Sequence, residues 1–380
     1  MITTTLEWHP QRGWTPALAS IPAAADLILY FGATGLLAQD GGPLSELLAR
    51  FPGAVAAGCS TAGEILGGTV SDDTLAVLCV KFASTKVRAE SVAVADAAAS
   101  HQAAVTLGAC LAAPDLRHVL VLSDGLLVNG TALTTGFRAS LPATVHVTGG
   151  LAGDGSLFKR TLVGLGGEIG SGRVVAIGFY GEHLRLTHGS AGGWEAFGPH
   201  RLVTGSVGNV LHTLDDQPAL PLYKRYLGER AAGLPATGLL FPLELLPDRA
   251  AQHGLVRTIL AVDEAAQSLT FAGDIPAGRY VRLMKANTDA LIDGAETAGR
   301  IALAATDPAH SFAVLVSCVG RRLVMGQRIE EEVEAVLEQI GRGVPAAGFY
   351  SYGEICPSGV VHSCDLHNQT MTLTVFTEAA

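Results

Sequence analysis

The feature that most constrains the fold is a nine-residue sequence that occurs twice, 290 positions apart. Residues 57–65 read AGCSTAGEI and residues 347–355 read AGFYSYGEI, so both fit the frame A-G-x-x-[ST]-x-G-E-I. A third, looser version, TGGLAGDG, occupies residues 148–155. Three related turns indicate an internal repeat, which restricts the chain to folds built from similar units.

Each turn ends the same pattern: an apolar strand, a loop, a helix and a second strand. First strands are predicted at 27–31, 119–123 and 312–318, and helices at 43–50, 131–140 and 328–341. Further strands at 75–82, 87–94, 173–180 and 371–376 look like antiparallel hairpins. The strand-to-turn spacing is 31 residues (27 to 58 and 118 to 149) in the first two copies and 36 (312 to 348) in the third.

The last helix has the clearest periodicity, because Ile329, Val333, Val336, Leu337 and Ile340 form one apolar stripe. Another helix is predicted at 289–305. Prolines interrupt the pattern between 205 and 247, where we place a domain boundary. The expected organisation is an N-terminal segment (1–26), an N-terminal domain (27–218) and a C-terminal domain (219–380). The expected fold is mixed α/β of the α+β kind, with repeated strand-helix-strand-hairpin units, mixed sheets and the two regions packed together.

Composition excludes several classes of function. The formal net charge is −10 and the basic residues are scattered, so no basic surface for nucleic acid is expected. Apolar runs end long before the ~20 residues that a membrane helix needs, so no membrane insertion is expected. No secretory signal is visible, and the six cysteines are widely spaced, which suits a reducing cytoplasm.

The glycines of the turns predict a ligand site. Gly58, Gly63, Gly348 and Gly353 can adopt conformations that expose amide N–H groups at the end of a strand. Three acids, Glu64, Asp154 and Glu354, occupy comparable points of the turns. They could hold a ligand's amino group or close each turn on its own amides. Their neighbours Cys59, Ser60, Thr61 and Gly150 are further candidates for ligand contacts.

The blocks AGCSTAGEI, GGLAGDG, SCVGRRLVMGQRIEEEVEAVL, GFYSYGEICP and LHNQTMTLTVF resemble, in this order, the signature blocks of the FIST family. The likeness spans nearly the whole chain. It implies a bacterial or archaeal sensory protein that binds a small ligand such as an amino acid. Some stand-alone family members are haem proteins that report nitric oxide to a histidine kinase in a two-component system. No output domain accompanies the repeats, so the resemblance implies a separate partner: a histidine kinase, a cyclic-dinucleotide enzyme or a chemoreceptor.

Four side chains that can ligate a transition metal lie close together in the sequence near the C-terminus. Cys356, His362, Cys364 and His367 fall within 12 positions. One of them could ligate haem iron, since a thiolate or an imidazole is the axial ligand required. Structural roles for the cysteines and a zinc site are the alternatives, although four zinc ligands at finger-like spacing are missing. His367 opens a polar triplet with Asn368 and Gln369, which either binds a ligand or locks the last strand to the fold.

Three further residues could contact a ligand. Tyr350 and Tyr352 share one side of a strand by period two, so they could line a pocket or belong to the core. Arg322, beside Arg321, offers a guanidinium for a ligand carboxylate, and Lys285 and Asn287 could add to that side. Surface or ion-pairing roles are the alternative for these arginines.

An enzyme is the least supported hypothesis. Cys59, Ser60 or Thr61 could be a nucleophile after a strand, as in a hydrolase or acyl transferase. The turn nevertheless lacks the G-x-S-x-G frame, and no base can be assigned to it. We therefore expect a sensor without catalytic activity.

Overall fold

The computed structural model describes residues 1–302, 308–357 and 363–379. It contains three copies of one unit, with an additional β-rich insertion in the third copy. The elements of the first unit are β1 (Ile2–His9), β2 (Gly13–Thr15), β3 (Leu27–Gly32), α1 (Thr34–Leu37), α2 (Pro43–Arg50), β4 (Val55–Ser60), β5 (Glu64–Leu66), β6 (Thr69–Ser71) and β7 (Leu75–Lys81). A short 3₁₀ segment, Leu18–Ser20, follows β2.

The second unit repeats this order with one longer helix after its first strand. Its elements are β8 (Lys86–Ala93), α3 (Ser100–Leu111), β9 (Leu116–Ser123), α4 (Gly130–Ser140), β10 (His146–Leu151), β11 (Val163–Leu165), β12 (Glu168–Gly170) and β13 (Arg173–Tyr180).

The third unit begins with β14 (Leu184–Ala191) and then leaves the pattern for the insertion. The insertion consists of β15 (Glu195–Val207), β16 (Val210–Leu214), β17 (Gln217–Pro218), α5 (Ala219–Leu227), β18 (Leu243–Leu246), β19 (Leu255–Arg257), β20 (Ile259–Asp263), β21 (Ser268–Phe271) and β22 (Tyr280–Lys285). The unit resumes with α6 (Thr288–Ala302), β23 (Ser311–Cys318), α7 (Val319–Met325), α8 (Ile329–Ile340), β24 (Ala346–Ser351), β25 (Gly353–Cys356), β26 (Asp365–His367) and β27 (Met371–Glu378).

Strand pairing confirms the three-fold repeat. In each unit the strands that flank the second helix are parallel, as β3 and β4, β9 and β10, and β23 and β24. The last strand of each unit (β7, β13 or β27) pairs antiparallel with the first strand of the parallel pair (β3, β9 or β23). The opening strand of the unit (β1, β8 or β14) pairs antiparallel with the other edge of that last strand. Gly58, Gly149 and Gly348 occupy the same register position in the three parallel pairs.

Each unit passes its short hairpin to the sheet of another unit. The hairpin β5–β6 of the first unit pairs with β24 of the third. The hairpin β11–β12 of the second pairs with β4 of the first, and β25–β26 of the third pairs with β10 of the second. The three sheets are therefore closed into a ring by strand exchange.

The predicted pairing of strands 75–82 and 87–94 with each other is wrong. These strands are β7 and β8, which lie in different sheets, and β8 pairs with β13. The link between β7 and β8 is anchored to the last strand, β27. The amides of Ala83, Ser84 and Thr85 donate hydrogen bonds to the carboxylate of Glu378 in that strand. An antiparallel pair of apolar strands joined by a short link suggested a hairpin, but this side-chain anchor turns the chain into the next sheet.

The core has two layers on either side of the sheets. One cluster lies between the three sheets and contains Phe31, Leu122, Val316 and Phe349. A second cluster packs the outer sheet faces of the second and third units against α3, α4, α6 and α8, and a third packs the outer face of the first unit's sheet against α2. Both faces of the central strands are thus buried, which explains why these strands are continuous apolar runs. The stripe predicted on α8 points into this outer layer, as expected.

The insertion has its own apolar core, with Leu211, Leu220, Leu269 and Phe271 at its centre. Its strands form one sheet in the order β19-β18-β22-β15-β16-β21-β20. The boundary predicted at 218/219 falls between β17 and α5. The predicted helix at 289–305 is α6, and residues 303–305 lie outside the described residues.

Among the described residues, no helix is long and apolar enough to cross a membrane. All six cysteines are free thiols.

Candidate ligand-binding site

The three signature turns meet at one end of the sheets and are tied to each other by backbone hydrogen bonds. In each turn, one backbone N–H donates to a backbone carbonyl in the turn of another unit. Counted from Gly58, Gly149 and Gly348, the donor lies four positions after the glycine of its own unit, and the acceptor lies two positions after the glycine of the other unit. The bonds are Ala62 N to Tyr350 O (2.8 Å), Gly153 N to Ser60 O (2.9 Å) and Tyr352 N to Leu151 O (3.0 Å). These three bonds form a closed cycle through the units.

Two glycines are required by this arrangement. Gly63 has φ +137°, and a Cβ there would lie 2.4 Å from the guanidinium Nη1 of Arg322. Gly348 lies against β23 so closely that a Cβ would come within 1.8 Å of the carbonyl of Leu315. The expectation that the turns expose free amides is wrong for Ala62, because neighbouring units use such amides in the cycle.

Glu64 and Glu354 have the same hydrogen-bond partners at equivalent places. Thr61 donates its hydroxyl to Glu64, and Thr74 donates both its amide (3.1 Å) and its hydroxyl (3.0 Å). Ser351 and Thr370 do the same for Glu354, at 2.7 Å from the Ser351 hydroxyl and 3.2 and 2.9 Å from Thr370. Burial raises the pKa of each carboxyl to about 7, although these hydrogen bonds lower it. Both acids therefore close their turns.

Asp154 closes the second turn differently. It accepts hydrogen bonds from the amides of Phe158 (2.8 Å), Lys159 (2.7 Å) and Arg160 (2.7 Å). The hydroxyl of Tyr352 also donates to it, and the ring of Tyr352 stacks on Phe158 with centroids 4.4 Å apart. Asp154 thus orders the loop that follows the second turn and links it to the third.

A cavity of about 540 Å³, here called the turn cavity, opens between the first turn and this loop. It is lined by Ala33, Thr34, Gly35, Thr61, Ala62, Gly63, Glu64, Asp72, Asp73, Asp154, Gly155, Ser156, Leu157, Lys159 and Arg160. Of the residues predicted to bind a ligand, the structure brings Thr61, Glu64 and Asp154 to this cavity. It does not bring the turn of Glu354 there.

The turn cavity carries unengaged charges of both signs. The carboxylate of Asp73 makes no hydrogen bond or ion pair with the part of the chain that the structure describes, and the same holds for the side-chain cations of Lys159 and Arg160. All three residues are exposed. A zwitterionic ligand could therefore find an anion and two cations around one space.

Arg322 does not line the turn cavity, and its guanidinium is already engaged by residues that do. Its guanidinium forms a bidentate pair with Asp72 (2.8 and 2.6 Å) and also donates to the carbonyl of Ala62. It lies 5.6 Å from the ring centre of Tyr350. Its partner is thus a protein carboxylate. Arg322 connects α7 of the third unit to the first turn.

The other residues predicted in the turns are buried in contacts between units. Ser60 donates its hydroxyl to the carbonyl of Gly153 (2.7 Å) and accepts the amide of Leu162 (2.8 Å). Cys59 is fully buried, and burial raises the pKa of its thiol. A Cβ on Gly150 would lie 2.6 Å from Val316 in the core between the sheets. None of these three lines the turn cavity.

Tyr350 and Arg321 belong to a buried polar network. Arg321 pairs with Glu332 at 2.8 Å, and both side chains are fully buried. Tyr350 and Ser317 donate their hydroxyls to the same carboxylate, at 2.6 and 2.9 Å. This network joins α7, α8, β23 and β24.

A second space, here called the interface cleft, separates the third unit from the insertion. Its volume is about 910 Å³, and its lining includes His188, Trp194, Glu244, His253, Met284, Ile301, Pro357, His367 and Thr370. His367 lines this cleft, and its Nε2 lies 3.1 Å from the carbonyl of Cys356. Burial lowers the pKa of His367 to about 4.

The rest of the C-terminal cluster is dispersed. Cys356 and Cys364 are buried, with their sulfurs near the carbonyls of Gly189 (3.9 Å) and Thr134 (3.4 Å). His362 lies outside the described residues. Within those residues, no group of three His, Cys, Asp or Glu side chains is placed to hold a metal ion, which leaves the zinc alternative without a described ligand set. The side-chain amide of Asn368 is buried with no partner in the described structure.

Sequence reasoning missed Asp72, Asp73, Lys159 and Arg160. The signal was present, because 72–74 (DDT) and 368–370 (NQT) both precede the last strand of a unit and end in the threonine that holds the turn acid. Asp73 and Gln369 even share a positive φ (57° and 64°). Extending the repeat beyond the turns would have pointed to this loop.

Comparison with known proteins gives a family match over most of the chain. The FIST N domain model matches residues 26–217, and the FIST C domain model matches residues 219–357. No curated protein matches the sequence. Among solved structures, a cyanuric acid hydrolase from A. caulinodans aligns with 100% of this chain and 99% of its own, at 11% identity and a TM-score of 0.32.

Proposed function

This chain belongs to the FIST family, whose domains are found in sensory and signal-transduction proteins that bind small ligands, and we propose that it binds an amino acid or a related metabolite in the turn cavity. The proposal rests on one observation: the unengaged carboxylate of Asp73 and the unengaged cations of Lys159 and Arg160 line the same cavity. A carboxylate suits the ligand's ammonium group, and a guanidinium suits its carboxylate. The volume of about 540 Å³ is in the range of small-molecule sites.

A thermal-shift screen of the twenty proteinogenic amino acids tests the proposal. A ligand at 100 times its dissociation constant stabilises the folded state by about 2.7 kcal/mol, which raises the melting temperature measurably. Calorimetry on each hit then gives the affinity. If no amino acid changes the melting temperature, the proposal of a proteinogenic amino acid as the ligand is wrong.

Matched variants locate the site. Asp73→Asn removes the anion, and we expect at least a tenfold loss of affinity for a hit, because a charge-assisted hydrogen bond contributes about 1.5 to 3 kcal/mol. Asp216→Asn is the control, since Asp216 is also exposed and also has a positive φ (61°, against 57° for Asp73) but lies in the insertion. Equal affinities for the two variants would place the ligand elsewhere.

We propose that α7 relays ligand binding to a separate signalling protein, such as a histidine kinase, a cyclic-dinucleotide enzyme or a chemoreceptor. Asp72 lines the turn cavity and holds Arg322 of α7. The same helix exposes Leu323, which with Leu240 and Phe241 lines a surface cavity of about 710 Å³. A ligand that competes for Asp72 would release Arg322 and shift this surface.

Hydrogen exchange of residues 319–325 tests the relay. Adding the amino acid found in the screen should change the protection of α7 in the wild type. The effect should be lost in Asp72→Asn, which cannot hold Arg322 with a charged bidentate pair. Unchanged exchange in the wild type at saturating ligand would contradict the relay while leaving binding itself intact.

Haem binding in the interface cleft is the second candidate function, favoured by His367. A carbonyl only accepts hydrogen bonds, so Nε2 of His367 carries the proton toward Cys356, and Nδ1 keeps its lone pair. The lowered pKa keeps the ring neutral, which is the form that ligates iron. The residues present fit an axial imidazole in a cleft lined by Trp194 and Met284. When bound there, haem would supply an iron that can bind a diatomic gas such as nitric oxide.

The absorbance spectrum separates the two candidates. A Soret band after haem addition that is lost in His367→Ala, but kept in His253→Ala of the same cleft, would support the haem site. A spectrum without a Soret band would reject it.

The enzymatic alternative has weaker support. A nucleophile needs an accessible, activated group. Cys59 is buried with a raised thiol pKa, and Ser60 is fixed between two backbone groups. We propose a sensor without catalytic activity.

A further inference from the structure

Two histidines from different sheets, His146 and His188, are in contact at the start of β10. The signature turn of that unit lies at the other end of this strand. His146 is the first residue of β10, and His188 lies in β14, the edge strand of the third unit's sheet. The Nε2 of His188 is 3.0 Å from the Nδ1 of His146. The ring centroids are 5.0 Å apart, and the rings are inclined by 68°. Two nitrogens of neutral imidazoles face each other directly.

This spacing suits a shared metal ion. Imidazole nitrogens bind Zn²⁺ or Cu²⁺ at about 2.0 to 2.1 Å, so two neighbouring ligands on one ion lie roughly 2.8 to 3.4 Å apart for square-planar to tetrahedral angles. The observed 3.0 Å lies within this range. Rotation of both rings, together with a change of tautomer in the ring that donates the N–H···N hydrogen bond, would turn both lone pairs toward one ion.

The rings are also in the protonation state that metals require. Burial lowers the pKa of both histidines, to about 4 for His188, where the neighbouring His146 adds to the effect. Neutral imidazole is the ligating form of histidine.

A third histidine behind the pair is incompletely satisfied. His118 lies opposite His146 in the parallel register of β9 and β10, and it is fully buried. Its Nε2 pairs with the hydroxyl of Thr148 at 2.8 Å, and its Nδ1 has no partner among the described residues. A buried polar atom without a partner in a folded protein calls for an explanation, of which a bound water or ion is one. The rings of Phe179 and Phe376 pack against His118, with centroids 6.2 and 5.5 Å away, so its Nδ1 is the unsatisfied polar atom behind the pair.

We propose that His146 and His188 form a binding site for a divalent transition-metal ion, Zn²⁺ or Cu²⁺, that links β10 to β14. Within the described residues, no third His, Cys, Asp or Glu is placed to join them, so this part of the chain supplies two ligands, and water would complete the coordination. His188 also lines the interface cleft, which gives water access to the ion. The ion would tie the second unit to the third at the end away from the turns.

Metal titration of chelator-treated protein tests the site. We expect one equivalent of Cu²⁺ to give an electron paramagnetic resonance spectrum with two imidazole nitrogens, and Zn²⁺ to bind by calorimetry with the same stoichiometry. His146→Asn and His188→Asn should each weaken binding by at least about tenfold, the lower end of what loss of metal-supporting groups costs. His101→Asn, an exposed histidine on α3, is the control and should leave affinity unchanged.

Each result decides the proposal. A one-nitrogen spectrum, equal affinity in His146→Asn and wild type, or no Zn²⁺ or Cu²⁺ binding at micromolar concentration would overturn it and leave a simple N–H···N hydrogen bond. His146 is exposed, so its variant should fold even if His188→Asn does not, and circular dichroism checks this.

Discussion

Glu64 and Glu354 show how burial changes the chemistry of a carboxyl group. Each accepts three hydrogen bonds, yet the pKa of each is about 7 because burial penalises the charged form. At neutral pH each side chain is therefore present in both protonation states. Only Glu64 lines the turn cavity, so its charge can respond to a cationic ligand group.

The Glu354→Gln variant should reveal this titration. The folded pKa of Glu354 (about 7) lies above the ordinary 4.5, so the folded wild type binds more protons and loses stability as pH rises from about 4.5 to 7. The Gln variant lacks this loss. Its free energy of unfolding relative to wild type should rise by about 2 to 3 kcal/mol between pH 5 and pH 8. Urea unfolding at both pH values measures the difference, and a pH-independent difference would contradict the raised pKa.

At this scale the sequence predicted the acids but not their partners. The repeat identified Glu64, Asp154 and Glu354 as equivalent. Most of their donors are local in the sequence, such as Thr61 for Glu64, but Tyr352 reaches Asp154 across 198 positions because the units pack together. Local patterns carry no information on such a pair.

Helices α7 and α8 depend on one buried ion pair. Arg321 in α7 reaches Glu332 in α8, and the carbonyls of Gly192 and Leu291 accept its other N–H groups. Because both charges are buried, each needs the other to offset its lost hydration. The proposed relay helix is thus fixed at its first turn by a group distinct from Arg322.

Glu332→Gln should destabilise the protein strongly. Removing one charge leaves the Arg321 guanidinium buried without its counter-ion, which costs about 3 to 5 kcal/mol. Denaturant unfolding at pH 7 measures this. The double variant Arg321→Met/Glu332→Leu should recover much of the loss, because no buried charge remains.

An exposed pair serves as the control. Arg328 and Glu331 pair at 2.7 Å on the surface, so Glu331→Gln should leave the unfolding midpoint unchanged within error. An effect of Glu332→Gln no larger than that of Glu331→Gln would show that the buried pair contributes little.

Periodic helices were predictable, whereas the insertion was not. The apolar spacing gave α2 and α8 to within a residue, since both bury one stripe against a sheet. The insertion depends on the pairing of β15 with β22, in which Glu195 faces Lys285. Prolines within it suggested irregular structure, but Pro218, Pro242 and Pro247 lie at or next to strand ends, and Pro199 lies in β15 at the register shift between Phe197 and Arg201.

At the scale of the whole molecule, Glu378 in the last strand binds the third unit to the link between the first two units. Its carboxylate accepts the amides of Ala83, Ser84 and Thr85, which form the link from the first unit to the second. Burial alone would raise the pKa of Glu378, but these hydrogen bonds outweigh burial and lower it to about 2. One side chain thus joins all three units.

Glu378→Gln should therefore destabilise the fold at neutral pH. Because the folded pKa is below the ordinary 4.5, the stabilisation is fully present above pH 4.5 and is lost as pH falls toward 2. We expect a loss of about 2 kcal/mol at pH 7 and a smaller one at pH 3. Glu182→Gln, whose side chain is 86% exposed, is the control for urea unfolding at both pH values. A loss that stays the same at pH 3 would argue against the lowered pKa.

The repeat was readable from the sequence, but the ring that the repeats form was not. Spacing and glycine position predicted three equivalent units, and the structure shows the same parallel strand pair in each. The exchanged hairpins consist mostly of three- and four-residue strands, such as β5 and β25, which are too short to show a partner preference.

Strand exchange also sets a waiting time during synthesis. The hairpin β5–β6 emerges from the ribosome early, but its partner β24 begins 280 residues after β5 ends (346 − 66). At about 5 to 20 residues per second, the gap lasts roughly 15 to 60 s. For that interval the first unit presents an unpaired strand edge to the crowded cell, and only the arrival of the last unit removes it.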